Sequence, residues 1–534
     1  MKDDPALKKL VLDIDKPKNS PFLCIWYDTE LDHNSVSAKM PLDKQFRNID
    51  QVIFRDTWGG NQELYTGMTV TNGSAPHNHI KSGTFVLDAL GERWITNHGN
   101  ESYSVAGYWE SGQNGRRWRY YATRAEANSC LVINPSEDGG QNVFSEDIID
   151  RYASNDAGAY AYTHLNDTYK DQVTDYWRGL MLTNNRQTVV MQDEVKLVEP
   201  SLVYSFVNIN QCEVEVSEDQ KTIILKKGSK KVYVNVICDQ PYEFSIMRSV
   251  PLETSNLLPG SKRNPDVKKL AFKFDNIKEL NMRLEFTPYL FDEDIKDIKD
   301  SEFVPINEWT LPDEIAVKPT LSSLTFDGVP ADNFHPENRC YALPAGSTLP
   351  KIDAKADSSY NVEVTKISDY VCKILLTDKS NQDNTNTYIV YVSDPPKEPK
   401  KIDVTGLKKL SITSVSATAH DGNKPENVID GDFSTRWSAN GEHSVSFTLD
   451  KPHTVNCIAI AWTNGNTRYE FFDLEVSEDG KNWESIYDLQ STGVTTDFEY
   501  FDLGDRKIQY IRYKGYGNNT SLWNSLSEVE VYGK

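Results

Sequence analysis

The sequence predicts an all-β protein built from several sandwich-like units, on three observations. The 534 residues are rich in ring side chains, with 11 Trp, 27 Tyr and 20 Phe. Short strand-like runs are broken again and again by Gly, Asn and Asp, as strands joined by turns require. No segment recurs at a fixed period, so a solenoid or propeller is not expected.

Residues 1–40 read as the tail of another element: "PALKKLVLDI" suits a short helix, and "SPFLCIWYDTELD" is apolar with little of its own to pack against. Residues 41–301 run strand after strand, in "GTFVLDAL", "SCLVINP", "RQTVVMQDEV", "KKVYVNVIC" and "LNMRLEFTPYL", which predicts a large β-sandwich. Residues 302–395 hold a smaller set, "LSSLTFDG", "YNVEVTKI", "VCKILLTD" and "TYIVYVS", whose size and spacing suit an Ig-like sandwich. The Pro/Lys-rich stretch "DPPKEPKKID" makes 396–404 a stiff linker. Residues 405–534 form a third β unit, with strands in "HSVSFTL", "NCIAIAW", "FFDLEVS", "IQYIRYKG" and "SEVEVYG".

A net charge of −22 argues against nucleic acid or an anionic membrane as a partner, but leaves room for an acidic sugar held in a local basic cleft. The seven cysteines show no CxxC spacing and their odd number forbids full pairing, so they are expected to be mostly buried thiols. The N-terminus lacks the apolar core of a signal peptide, and no apolar run is long enough to span a bilayer.

Three stretches carry chemistry. In "PHNHIKSG" two histidines, His77 and His79, follow a Gly/Ser/Pro-rich turn; on residues alone such a pair is more often surface or hydrogen-bonded core than catalytic. In "NGRRWRYYATR" strand alternation would put Arg117, Arg119 and Tyr121 on one face and Trp118 and Tyr120 on the other. That row suits sulfates or carboxylates, or is simply a solvated edge strand. In "NVIDGDFSTRW", a DGD turn and a late Glu offer the hard oxygens that calcium takes, or form an ordinary Asp-Gly turn before a core Trp.

Over about 125 residues the C-terminal unit resembles a discoidin domain (coagulation factor V/VIII type C), of the kind found as family 32 carbohydrate-binding modules. The resemblance implies a jelly-roll sandwich in which Asp430, Asp432 and Thr435 form a structural calcium loop closed by Glu528. Trp437 and Trp483 are expected in the core. Sugar contact in such modules comes from variable loops, where an aromatic face meets the sugar and Arg or Asn meets its polar groups. Here that implies Trp462, Arg468 and Asn518, with Asn464, Tyr516 and Trp523 in the same loops.

From about residue 20 to 300 the order of "VIFRDTW", the histidine stretch, "RRWRYYATRAEANSC" and "RQTVVMQDEV" resembles the C-terminal β-sandwich of heparinase II/III-like polysaccharide lyases. In that family an α/α toroid precedes this domain, and residues 1–40 resemble the place where it ends. The resemblance implies β-elimination on a uronate, with His77 and the cleft tyrosines Tyr103 and Tyr108 catalytic, beside the substrate-holding Arg117 and Arg119. A Tyr and an Asn or His of the toroid have no counterpart, so a separate toroid polypeptide is an implied partner. The family's zinc ligands fall on His79, Asn97 and Asn128, and its Asp after the histidines falls on Lys81. Neutral amides are poor zinc ligands, so zinc is not expected, and His98, next to Asn97, should face the other way.

The expectation is therefore part of a polysaccharide lyase acting on an acidic poly- or oligosaccharide, with a calcium-bearing binding module, working in the periplasm or outside the cell. The alternatives are a non-catalytic glycan-binding protein with a degenerate lyase domain, and an adhesin in which the Ig-like unit is a spacer.

Overall fold

The computed structural model describes residues 41–534 apart from 59–62, 76, 256–257, 259–260, 290–301, 313–316, 333, 383 and 396. The segment read as the end of a toroid lies outside the described residues. Within them strands dominate, and helix is confined to short 3-10 turns. The all-β expectation holds.

Residues up to Tyr289 share one 15-stranded antiparallel sheet that folds over on itself. Its spine is a pair of 23-residue strands, Thr188–Asn210 and Val267–Tyr289, paired from Val189 opposite Phe286 to Asn210 opposite Val267. The ladder loses register between Lys196 and Val203. The break contains Pro200, which has no N–H to give, and faces Asn276, whose φ is +55°. The bend lets one half of Thr188–Asn210 pair with Val173–Thr183 and the other half pair with Leu131–Ile133. One strand thus serves both layers. Alternation follows the pleat, with Phe85, Leu87 and Ala89 buried on one face of Phe85–Ala89. They meet Phe54, Trp94, Val234, Phe272 and Phe286 in the core between the layers.

Inside this core Arg178 and Asp193 pair side by side, Nε to Oδ1 at 2.7 Å and Nη2 to Oδ2 at 2.8 Å. Tyr176 donates its hydroxyl to the same Asp193 at 2.9 Å, and Arg178 Nη1 donates to the carbonyls of Gly83 and Ser129, both at 3.0 Å. The pair therefore fixes the ends of two loops, one of which begins at the histidine stretch.

The middle segment has its own two sheets. In one, Leu321–Phe326 lies between Val329–Pro330 and Ile352–Ala356; in the other, Thr385–Val392 lies between Cys340–Leu343 and Val371–Asp378, with Tyr360–Lys366 outermost. Leu324, Tyr341, Ile374 and Tyr388 are packed between them. An Arg339–Asp56 ion pair ties this segment to the first.

The C-terminal segment folds as an eight-stranded sheet wrapped around Trp437, Phe447, Ile458, Trp462, Phe472 and Tyr513. Trp437 is core, as its sequence context implies. Trp483 is not: it is half-exposed, with the Arg512 guanidinium 4.1 Å from its ring. The unit docks on the first through Arg248, which pairs with Asp473 at 3.2 Å and Asp488 at 2.7 Å, and through the Tyr469 hydroxyl, which donates to Asp266 at 3.0 Å. Of the seven cysteines the six in the described residues are free thiols, and three are buried. No helix in the described residues is long and apolar enough to cross a membrane.

Removing one partner of a buried ion pair leaves the other charge stranded, at a cost of about 3–5 kcal/mol. Asp193→Ala is accordingly expected to lower the midpoint of the first urea transition followed by tryptophan fluorescence, whereas Asp369→Ala, on the surface of the middle segment, leaves it in place.

Candidate functional site

Two sites emerge, one on the first sheet system and one on the C-terminal unit. At the first, His77 sits in a left-handed turn with φ +69°, a conformation that costs a side-chain-bearing residue and holds its ring out at the surface. The loop that follows is fixed by backbone: Ile80 N–H donates to the Thr123 carbonyl at 2.8 Å, and the Ser82 N–H and carbonyl both engage the Gln141 amide at 3.0 Å. The ring of His77 lies 5.0 Å from Tyr103 and 5.4 Å from Trp109. Tyr103 and Trp109 are 49% and 58% exposed, so the three rings form an open aromatic platform. Trp109 was not among the expected site residues. Its signal lay in the Tyr108-Trp109 doublet, whose neighbouring side chains leave the chain in different directions.

Tyr108 lies under the platform and is fully buried, 5.0 Å from Tyr103 and 5.2 Å from Trp109. Burial raises its phenol pKa, and its hydroxyl has no partner. It cannot touch a substrate, so the catalytic role expected of it is withdrawn. The arginine row is also corrected. Arg116–Arg119 and Tyr121–Thr123 are successive 3-10 turns, not a strand, so alternation does not apply. Arg117 is 1% exposed and lies 4.6 Å from the Tyr108 ring, while Arg119 turns outward to Glu137 at 3.5 Å. Tyr121 is buried against His98, ring to ring at 4.9 Å. The platform is thus aromatic, with one cation beneath it.

The zinc positions of the family do not fit a metal here. Asn97 accepts from the Thr84 hydroxyl at 2.8 Å, and Asn128 donates to the Arg124 carbonyl at 2.9 Å. His98 faces away, bonded to Ser249 at 2.8 Å and to the Lys262 carbonyl at 3.1 Å. His79 is buried, and desolvation together with Lys81 and Arg117 pushes its pKa down to about 4, so it is neutral at pH 7. Among the described residues no three His, Cys, Asp or Glu side chains converge on a metal position.

The second site is a pocket of about 300 Å³ on the C-terminal unit, lined by Asp421, Arg436, Ser438, Thr463, Asn464, Arg468, Trp523 and Ser525. Trp523, 38% exposed, is its aromatic wall. Arg436 is placed by Nε donating to Ser438 at 3.2 Å, and Arg468 by Nε donating to Glu470 at 3.1 Å. Glu470 is fully buried, and desolvation pushes its pKa up to about 8 against the pull of Arg468.

Of the expected ligand contacts, only Arg468 lines this pocket. Trp462 is 1% exposed and belongs to the core. Asn518 is buried and shapes the loop instead: its Oδ1 accepts from the N–H of Thr520 and Ser521, and its Nδ2 donates to the Trp523 carbonyl at 2.7 Å. Tyr516 faces the first unit, 4.4 Å from the Arg263 guanidinium. Arg436 was missed because it sits between two stronger signals, the DGD turn and Trp437. Alternation from a buried Trp437 sends it to the opposite face, which is the pocket.

Next to the pocket strands, the DGD loop meets the last strand. Glu528 accepts from the Gly431 N–H at 2.9 Å, and the Thr435 hydroxyl donates to Asp430 at 2.8 Å. Both aspartates also cap the turn: Asp430 accepts from the Asp432 N–H at 2.8 Å, and Asp432 accepts from the Ser434 N–H at 2.9 Å and hydroxyl at 2.7 Å. Burial and the adjoining Asp430 carboxyl push the Glu528 pKa up to about 7.

Residues 41–288 match the family model of the heparinase II/III-like C-terminal domain, and residues 411–529 match that of the F5/8 type C domain. The chain joins a heparinase II/III-like β-domain to an F5/8 type C module. The module is similar to the CBM32 of AlyQ in complex with 4,5-unsaturated mannuronic acid (40% identity, covering 23% of this chain and 97% of that one, TM-score 0.23). It is also similar to a pectin binding carbohydrate binding module (29% identity, 23% of this chain and 91% of that one, TM-score 0.23). A longer stretch is similar to heparan sulfate lyase HepC from Pedobacter heparinus, at 10% identity and a TM-score of 0.40, over 74% of this chain and 49% of that one. The chain thus spans about half the length of that lyase. No curated protein matches.

A native Glu528 that keeps its proton up to about pH 7, where the unfolded carboxyl has lost it near 4.5, binds more protons than the unfolded chain across that window. Stability then falls as pH rises from about 4.5 to about 7. In chelator-treated protein the F5/8 type C module should melt at progressively lower temperature over that range, and Glu528→Gln should flatten the profile.

Proposed function

We propose that this chain is part of a polysaccharide lyase that cleaves a uronate-containing glycan by β-elimination, and that its C-terminal module holds the same polymer. The observation that carries the reading is His77, presented in a left-handed turn at the edge of an exposed aromatic platform inside a heparinase II/III-like β-domain. Elimination requires a neutralised carboxylate, a base for the C5 proton and an acid for the leaving oxygen. His77 supplies an imidazole for proton transfer, Tyr103 supplies a hydroxyl, and Trp109 offers a flat face to the C–H side of a sugar ring. The groups that complete the constellation would come from a toroid polypeptide, acting together with this chain in the periplasm or outside the cell.

The pocket of the module suits an acidic sugar. Arg436 and Arg468 present guanidinium groups, and Trp523 presents a face for stacking. A structural calcium ion fits the adjoining loop, whose donors are all hard oxygens: the carboxylates of Asp430 and Glu528 and the hydroxyl of Thr435. Two carboxyls that share one space gain from a cation between them.

A second reading, a glycan-binding protein without catalysis, is favoured by one observation: two of the three metal positions of the β-domain are filled by Asn97 and Asn128, and Lys81 stands where the family has an Asp. The two readings part in a lyase assay that follows the absorbance of the unsaturated uronate over a panel of acidic polysaccharides. Product formation abolished by His77→Ala establishes the lyase. Absence of product with retained glycan binding, alone and with added toroid polypeptide, establishes the binder.

For the module, Arg436→Ala and Trp523→Ala are each expected to weaken binding of uronate oligosaccharides about tenfold, the loss of one stacking or charged contact. Calorimetry measures this, and calcium should raise the melting temperature of the wild-type module but not of Asp430→Ala.

A further inference from the structure

We propose that Glu470 sets the charge of the module's pocket, and with it the affinity for an acidic sugar, by giving or withholding the counter-charge of Arg468. The inference rests on the reading of that pocket as a uronate site and names the residue that tunes it. Glu470 touches no ligand and acts through Arg468, as a positioning residue.

Three charged side chains line the pocket: Arg436, Arg468 and Asp421. The Asn423 N–H, bonded to Asp421 at 3.0 Å, keeps that carboxyl below its ordinary range, so it stays ionised and offsets Arg436. Arg468 is left to set the sign. Its side chain is 18% exposed, and its Nε donates at 3.1 Å to Glu470 Oε1, which lies behind the pocket wall and out of reach of water.

Glu470 opens the strand Glu470–Ser477 opposite Asn518. Its Oε1 takes the guanidinium bond, while its Oε2 is buried with no partner. The buried Asp193, by contrast, takes two guanidinium bonds and a phenol hydroxyl. A buried carboxyl with so few donors keeps its proton to higher pH. Desolvation outweighs Arg468 and Asn518 and places the Glu470 pKa at about 8.

The other neighbours bring no charge to it. Ser491 accepts the Glu470 N–H at 2.9 Å, and Tyr469 turns away to Asp266. Trp462 and Tyr513 pack on the Phe472 ring, and burial holds the Tyr513 phenol well above its ordinary range. Glu499, beyond the turn at Ser491, is engaged by the Thr492 N–H at 2.9 Å. Among the described residues Arg468 is thus the one charge bonded to Glu470.

The sign follows. Below about pH 8 Glu470 is neutral, the Arg468 charge is uncompensated and the lining is net positive. Above it the carboxylate forms, pairs with Arg468 and brings the lining to neutrality. A uronate, ionised throughout, is then held less tightly. Because the bound anion favours neutral Glu470, binding must take up protons near that pH.

Calorimetry of the full chain with mannuronate and galacturonate trisaccharides, calcium present, tests this from about pH 7 to about 9.5, above the ordinary range of histidine. Affinity is expected to fall about fivefold over that range, the scale of one exposed charge contact. Proton uptake shows as a binding heat that depends on the ionisation enthalpy of the buffer. Glu470→Gln, which keeps an acceptor for Arg468 but no titrating proton, should lose both effects, whereas a merely structural role for Glu470 would produce neither. Circular dichroism checks the variant; if it is not folded, the wild-type slope and proton uptake decide. Wild-type binding that is flat with pH, or a slope that persists in folded Glu470→Gln, overturns the inference and leaves the uronate reading standing. Failure of both trisaccharides to bind at any pH overturns the two together.

Discussion

The Arg178–Asp193 pair is the constraint on which the first site depends. It is buried between the layers, where neither charge has water to fall back on, so each must be satisfied by protein. Asp193 receives a guanidinium and a phenol hydroxyl, and Arg178 spends its remaining donors on the carbonyls of Gly83 and Ser129. Those two carbonyls end the segments that carry His77 and Arg117. Gly83 is required at its place: its φ is +83°, and a Cβ there would stand 2.9 Å from the Arg178 side chain. A charge pair in the core is thus converted into the position of a surface loop. Gln141 repeats the device one residue earlier, holding Ser82 at both ends and Tyr169 as well.

The fold was legible because its signals are periodic. Alternation in Phe85–Ala89 and in Lys230–Cys238 is the pleat itself, written in the sequence, and a turn residue closes each run. The site was legible only in part, and the reason is visible at "RRWRYYATR". Its alternating charges and rings have the pattern of a strand, yet the chain takes two 3-10 turns, because local hydrogen bonds there outweigh the pattern. The Arg117 carbonyl accepts from the Thr123 hydroxyl at 2.6 Å and the Trp118 indole donates to the Gly112 carbonyl at 2.8 Å, bonds within the turn that a strand would forgo. A pattern of period two does not carry that information. The same limit explains Trp462 and Asn518: both occupy loop-like sequence, but one fills the core and the other satisfies its own turn with three backbone bonds. Residue type marked the right loop in the case of Trp523 and the wrong residue within it in the case of Asn518.

The junction between the first and last units follows the same logic of charge. Arg248 serves two carboxylates, Asp473 and Asp488, and its guanidinium lies 4.2 Å from the Tyr487 ring. Asp473 in turn accepts from the Tyr516 hydroxyl at 2.6 Å and from the Asp488 N–H at 2.7 Å. One arginine from the β-domain therefore closes a network that the module cannot complete by itself. Loops at this end of the module are taken up by the interface, which is why Tyr516 is unavailable to a ligand while Trp523, on the returning strand, remains open.

The two sites differ in how they handle charge, and the difference has a physical cause. In the module, each arginine of the pocket keeps an anchoring acceptor, Ser438 or Glu470, and the surrounding water screens what remains. Such a pocket is stable empty and gains when an acidic sugar arrives. Beneath the platform, Arg117 is withdrawn from water and its charge rests against the Tyr108, Trp109 and Trp118 rings, with Nη1 left unpartnered. The aromatic rings over it then present to a polymer a surface whose underlying field is positive. Stacking on Tyr103 and Trp109 and attraction toward the buried Arg117 act in the same direction, and a neutral polysaccharide would feel only the first of them.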